Sequence, residues 1–160
     1  MKIEIIPAYN RTDDIRTLFT EYTDLLAEGD AEFRDYLQIQ HYDDEFKHPE
    51  RKYGFPEGRL YIALCNGETA GCVALRKLSD IACEIKRLYV RDAYRGNGIG
   101  NILTDRLIHD AKQIGYQHIL LDTFPFLERA VRMYRVRGFR EIEKYNDSPM
   151  ASTIYMKLDL

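Results

Sequence analysis

The spacing of apolar positions changes several times along the chain, and each change marks an element. Residues 2–7 alternate apolar and polar side chains as far as Pro7 and predict a strand. Thr12, Asp13 and Asp14 form a helix-start signal. Ile15, Leu18, Phe19, Tyr22, Leu25 and Leu26 then keep the helical period until Gly29. Asp30 is placed to cap a second, less regular helix holding Phe33, Leu37, Ile39, Gln40 and His41. Residues 42–58 read as loop, punctuated by Pro49, Gly54, Pro56 and Gly58. Apolar runs at 60–65 and 70–75, joined by Asn66-Gly67, predict an antiparallel hairpin. After a turn at Ser79-Asp80, Ala82–Val90 predicts a third strand.

From Ile99 the helical period returns through Ile102, Leu103, Leu107, Ala111 and Ile114, with Gly115 placed for a left-handed C-terminal cap. Residues 118–124 predict a short strand before Pro125. Residues 126–137 predict an amphipathic helix carrying Leu127, Ala130, Val131 and Tyr134, closed by Gly138. Residues 139–142 and 153–158 predict terminal strands. No repeat or low-complexity segment interrupts the pattern, so the expectation is one α/β domain over residues 1–160.

Composition narrows the class without naming a function. With 45% hydrophobic and 31% charged residues, the chain has ordinary globular values. No apolar run is long enough to span a bilayer, and the opening Met-Lys-Ile-Glu-Ile-Ile is too short and acidic for a secretory leader. Cys65, Cys72 and Cys83 are an odd count without a close pair, which predicts free, buried thiols in a reducing cytoplasm. The net charge of −3 argues against a nucleic-acid binder. Residues 1–50 hold 13 acidic and 5 basic side chains, a net of −8, and residues 51–160 hold 13 and 18, a net of +5. That asymmetry suits either a cationic ligand at the front and a phosphate-bearing one at the back, or simply solvated helical faces. His41, Asp43, Asp44, Glu45 and His48 contain ligand types but no metal-site spacing, and no metal is expected.

The chemistry concentrates where the third strand meets the next helix, at Arg95-Gly96-Asn97-Gly98-Ile99-Gly100. A helix start carries unpaired N–H groups and a partial positive charge, so this turn can hold a phosphate. One reading is a nicotinamide-dinucleotide site, with Asp122 at a distance suited to a ribose. Against it, Asn101 stands where the third glycine belongs, and the turn follows antiparallel strands.

The other reading starts from three segments. Glu84-Ile85-Lys86-Arg87-Leu88-Tyr89-Val90 precedes the glycine turn, and Ala130-Val131-Arg132-Met133-Tyr134 with Gly138-Phe139 follows it. With the Arg-x-x-Gly-x-Gly turn itself, these resemble the GNAT superfamily of acyl-CoA-dependent N-acetyltransferases over residues 82–140. The resemblance implies a mixed, mostly antiparallel splayed sheet flanked by helices, with acetyl-CoA wedged into the splay as cosubstrate. It implies cofactor contacts from Leu88, Tyr89 and Val90 and from Arg95, Gly96, Asn97, Gly98, Ile99 and Gly100. It also implies that Tyr134 is the proton donor. Glu84, on the central strand, is the candidate general base. Where many members carry Asn in the late helix, this chain has Leu127; Arg129, Arg132, Arg135 and Arg137 either reach a ribose phosphate or form a solvated face.

Each role has a physical reason. Arg95 and the turn amides suit a pyrophosphate, and a strand edge at Leu88 and Val90 can pair with an amide-bearing arm as an added strand would. A backbone N–H there can also stabilise the oxyanion formed when an amine attacks a thioester. The amine must lose a proton, and the departing thiolate, with a pKa near 8.5, is helped by a donor. No cysteine stands in a nucleophile context, so direct transfer to a small-molecule or peptide primary amine is expected, by a monomer or homodimer. The acidic first fifty residues favour a cationic or polyamine-like acceptor. A non-catalytic acyl-CoA-binding module on the same scaffold is the alternative.

Overall fold

The computed structural model describes residues 1–33, 45, 47–148 and 150–160. The irregular second helix expected after Asp30, and the possible ligands His41, Asp43 and Asp44, lie largely outside these residues. Asp30 does cap: its Oδ1 accepts the Glu32 N–H at 3.0 Å.

The described residues form seven strands in one mixed, mostly antiparallel sheet of order β1-β2-β3-β4-β5-β7-β6, flanked by helices. The strands are β1 (Ile3–Pro7), β2 (Arg59–Cys65), β3 (Glu68–Lys77), β4 (Ala82–Val90), β5 (His118–Thr123), β6 (Arg140–Ile142) and β7 (Ile154–Asp159). The helices are α1 (Thr12–Gly29), α2 (Glu50–Tyr53), α3 (Ile99–Ile114) and α4 (Glu128–Val136). α2 falls inside the stretch expected to be loop. Its four residues are too few for a period to show.

The hairpin between β2 and β3 forms as expected, because Asn66 and Gly67 both adopt the left-handed backbone a two-residue turn needs. The apolar runs of β2 and β3 are buried on both faces. Tyr61, Ala63, Val73 and Leu75 pack with α3 residues Leu103 and Leu107, and Leu60, Ile62, Cys72 and Ala74 pack with α1 residues Ile15, Leu18 and Phe19. A third cluster, Leu26, Phe33, Phe124 and Met150, joins the end of α1 to the end of β5. Burying side chains of this size is worth about 1.5–3 kcal/mol each, so the two main clusters hold both helix layers against the sheet. All three cysteines are buried free thiols. Among the described residues no helix is long and apolar enough to cross a membrane.

Two irregularities open the sheet. β4 and β5 are parallel neighbours only from Ala82↔His118 to Glu84↔Leu120, after which β5 continues against β7 alone. Three residues further along β4 sits Arg87, at φ 60°, in the bulge where the β3–β4 register slips between Cys72 and Ala74. Left-handed backbone is costly for a side-chain-bearing residue. Tertiary contacts hold it there: the Arg87 guanidinium donates to both Glu45 oxygens, at 3.1 and 2.8 Å, and lies 5.7 Å from the Phe19 ring. The Cys72 thiol donates to the Arg87 carbonyl.

Candidate active site

Beyond the bulge, the β4 edge that faces β5 has no strand partner, and that edge forms one wall of a groove of about 620 Å³. Leu88, Tyr89 and Val90 line it, and so do Arg95, Gly96, Gly98, Ile99 and Gly100 from the turn. Gly96 and Gly98 sit at φ 83° and 77°, and a Cβ at either would meet nothing within 4 Å. The turn therefore needs glycine for its backbone conformation and not for space. Gly98 caps α3, and its carbonyl accepts the first helical bond from Ile102, leaving the amides of Ile99, Gly100 and Asn101 ahead of the ladder. Arg95 folds back at the mouth, its Nε donating to the Val90 carbonyl at 3.1 Å. Asn97 is the one expected contact that does not line the groove; its amide donates to the Tyr94 carbonyl instead.

A second cavity, of about 320 Å³, lies on the other side of the parted strands. Its wall includes Lys52, Arg76, Lys86 and Arg87, together with Asp122, Thr123, Tyr134 and Asn146. Tyr22, Leu88, Leu127 and Ala130 line both spaces, so groove and cavity meet there.

Tyr134 lies one helical turn beyond Ala130, with its ring edge-on to Phe139 at 5.4 Å. Its hydroxyl makes no hydrogen bond to any described residue, and the ring lines the second cavity. Burial first, then nearby Tyr22 and Asp122, push its pKa well up, so the hydroxyl keeps its proton.

Glu84 is placed differently from a base open to substrate. It is fully buried and absent from the cavity lining. It accepts from Arg76 Nε at 2.7 Å, its direct cross-strand partner, and from the Tyr145 hydroxyl. The buried network shapes the wall by aiming Arg76. Asp122 and Asp147 are the carboxylates that line the cavity among the described residues; Asp122 accepts from Asn146 at 2.9 Å and stands 3.8 Å from Lys86 Nζ. The ribose role that a dinucleotide reading gives Asp122 does not fit, because this residue lines the cavity and not the glycine-turn groove. Glu45 is tied to Arg87: burial alone would raise its pKa, but the guanidinium overrides that and holds it at about 2.

A profile described as "Acetyltransferase (GNAT) family" matches residues 16–139. The chain belongs to the GNAT acetyltransferase family. An uncharacterised N-acetyltransferase of Schizosaccharomyces pombe is 38% identical over 150 residues, spanning 92% of this chain and 88% of that one. Among solved structures, an acetyltransferase from Streptococcus agalactiae superposes with a TM-score of 0.78 at 22% identity, over 99% of this chain and 98% of the other. A GNAT-family acetyltransferase from Elizabethkingia anophelis, solved with acetyl-CoA bound, has a TM-score of 0.55 at 24% identity, over 65% of this chain and 77% of the other.

Sequence reasoning overlooked part of this GNAT site. Tyr22, Leu25 and Phe126 line the groove through the folding of α1 and the segment before α4, far from the glycine turn in sequence. Arg129 also lines it, while Arg135 and Arg137 pair with Glu141 and Asp105. Leu127 begins α4 without a side-chain cap and presents an apolar surface to both spaces. Among the described residues, no carboxylate of the first fifty lines the cavity: its described carboxylate lining is Asp122 and Asp147.

Proposed function

We propose that the protein transfers the acetyl group of acetyl-CoA directly to a primary amine, with cosubstrate in the groove and amine in the cavity. The observation that carries this is the shared wall of Tyr22, Leu88, Leu127 and Ala130, which brings the two spaces together beside the unpartnered Tyr134 hydroxyl. The groove fits the cosubstrate's parts. The β4 edge at Leu88 to Val90 that faces away from β3 has no described strand partner and suits an amide-bearing arm, and Arg95 with the α3 start suits a pyrophosphate. The acetyl-CoA held by the Elizabethkingia relative supports the same assignment.

Acetyl-CoA supplies an acyl group activated as a thioester. The residues position the rest. Asp122 receives a proton from the amine as its nitrogen bonds to the acyl carbon and the carbon–sulfur bond breaks. Tyr134 donates to the departing sulfur, which leaves as the thiol. Glu84 acts through Arg76 as a positioning residue.

Free-thiol release from acetyl-CoA in the presence of an amine tests the reading. Tyr134→Phe is expected to lower kcat by about 10²-fold or more with little change in the acetyl-CoA KM. Asp122→Asn should lower kcat/KM by about 10²-fold or more, whereas Glu84→Gln, which acts through Arg76, should lower it less. An unchanged rate in Tyr134→Phe would mean that transfer does not use this hydroxyl, and acetyl-CoA binding with no thiol release for any amine would leave a non-catalytic acyl-CoA-binding scaffold.

A further inference from the structure

The second cavity has a charge pattern that the transfer reaction does not require. Four cations line it: Lys52 from α2, Arg76 from β3, and Lys86 and Arg87 from β4. Two of them belong to hydrogen-bonded ion pairs, Arg76 with Glu84 and Arg87 with Glu45. In both pairs the arginine lines the cavity and the carboxylate does not, so each pair turns its positive end inward. The two lysines are held more loosely. Lys86 Nζ stands 3.9 Å from Glu84 and 3.8 Å from Asp122, and Lys52 Nζ stands 3.7 Å from Glu45, all beyond hydrogen-bond length. Neither ammonium donates a hydrogen bond to a described residue. Four cations gathered in one part-buried wall repel one another, and an anion among them relieves that repulsion while accepting the unused donors.

We infer that the amine acceptor also carries an anionic group, seated against Lys86 and Lys52 with Arg76 beside them. The inference rests on the acetyl-transfer reading above and adds the class of substrate. Its geometry suits a compact molecule. Lys86 and Asp122 are 3.8 Å apart, so an amine at Asp122 places an anionic group on the neighbouring carbons beside Lys86. An amino acid has this spacing. Such an acceptor is the opposite of the polyamine that the acidic first fifty residues favour; among the described residues none of those carboxylates lines the cavity, and Asp122, beside Lys86, is the carboxylate placed to meet the amine.

The test compares acceptors of similar size and graded charge: glutamate, 4-aminobutyrate, O-phosphoethanolamine and 1,4-diaminobutane. Turnover is read as thiol release, and binding is read separately as the thermal shift of CoA-saturated protein. The expected result is a kcat/KM at least about tenfold higher for an anionic amine than for the diamine, with an upward thermal shift for the anionic amine alone. Glutamate and O-phosphoethanolamine then distinguish carboxylate from phosphate. Lys86→Ala and Lys52→Met should each lower the anionic-to-diamine ratio about tenfold, and Lys86→Arg should keep most of it. The inference is overturned if the diamine is used or bound as well as the anionic amines, or if Lys86→Ala lowers all acceptors by one factor. It is overturned too if no anionic amine is either turned over or bound. Loss of acetyl-CoA binding in calorimetry would overturn the transfer reading itself; acetyl-CoA binding with preferential transfer to the diamine overturns only the acceptor class.

Discussion

Lys52 shows how the cavity controls a single charge. Burial is the largest influence on its ammonium, and Arg87, Lys86 and Arg76 push the same way against Glu45. Together they lower its pKa from 10.5 to about 8. Between those values the unfolded chain keeps a proton that the folded chain has released, so this residue makes stability rise with pH from about 8 upward. From about 9 the buried Cys72 and Cys83 thiols, which keep protons that the unfolded chain gives up, oppose the trend, and above about 10 two tyrosines add to them. Tyr9 and Tyr116, both pushed up to about 12 chiefly by burial, hold protons that the unfolded chain gives up. Chemical denaturation of wild type and Lys52→Met between pH 7 and 9 should therefore show an upward slope in wild type that the variant loses; equal slopes would mean the lysine titrates normally. Little of this was legible in the chain. Lys52 follows Arg51 in a stretch without periodicity, and its neighbours at 76, 86 and 87 come from two strands that only the folded sheet brings together.

Among the elements, β3 and β4 carry the closest backbone approach near the site. A Cβ built on Gly71 would stand 2.6 Å from the Tyr89 carbonyl oxygen, in the strand segment that walls the groove. Backbone cannot step aside as a side-chain end can. Gly71→Ala is thus expected to cost about 1–3 kcal/mol, lowering Tm by about 2–4 °C for each kcal/mol in a chain of this size. It should also raise the acetyl-CoA KM, because Tyr89 and Val90 move together. A variant with wild-type Tm and KM would refute this packing account. Elements like these divide by the range of their causes. Asn66-Gly67 announces its hairpin locally, and Gly115 announces the end of α3, observed as a left-handed cap at φ 107°. The bulge at Arg87 has no such signal: arginine gives no hint of left-handed backbone, and its stabilising partners lie 42 and 68 positions earlier, at Glu45 and Phe19. The same limit explains why Glu84 read as the candidate general base. Its strand was predicted with the observed bounds, but Arg76 and Tyr145 bury it from other parts of the chain.

At the scale of the whole molecule, the site exists because the sheet parts after Glu84↔Leu120. The helix layers on both faces stay packed, so the opening is held by the fold and needs no ligand to create it. The glycine turn, the free β4 edge and α4 converge on one side of the gap, and α2, β3 and the Asp122 end of β5 converge on the other. The buried thiols have no place in either space. Burial raises Cys83 to about 12 and Cys72 higher still, and neither lines groove or cavity. Nothing in this arrangement provides a cysteine on which the acetyl group could wait between partners.

The four residues common to groove and cavity carry a kinetic consequence. Whatever occupies one space becomes part of the wall of the other, so the two ligands must sense each other through Tyr22, Leu88, Leu127 and Ala130. Such coupling is reciprocal: the factor by which bound acetyl-CoA tightens the amine equals the factor by which the amine tightens acetyl-CoA. Initial rates over a grid of both concentrations should give double-reciprocal lines that intersect, whereas parallel lines would signal a covalent acetyl-enzyme. Enlarging the partition with Ala130→Leu should shift the crossing point and raise both KM values together, making those four side chains a shared gauge of whether both reactants have arrived.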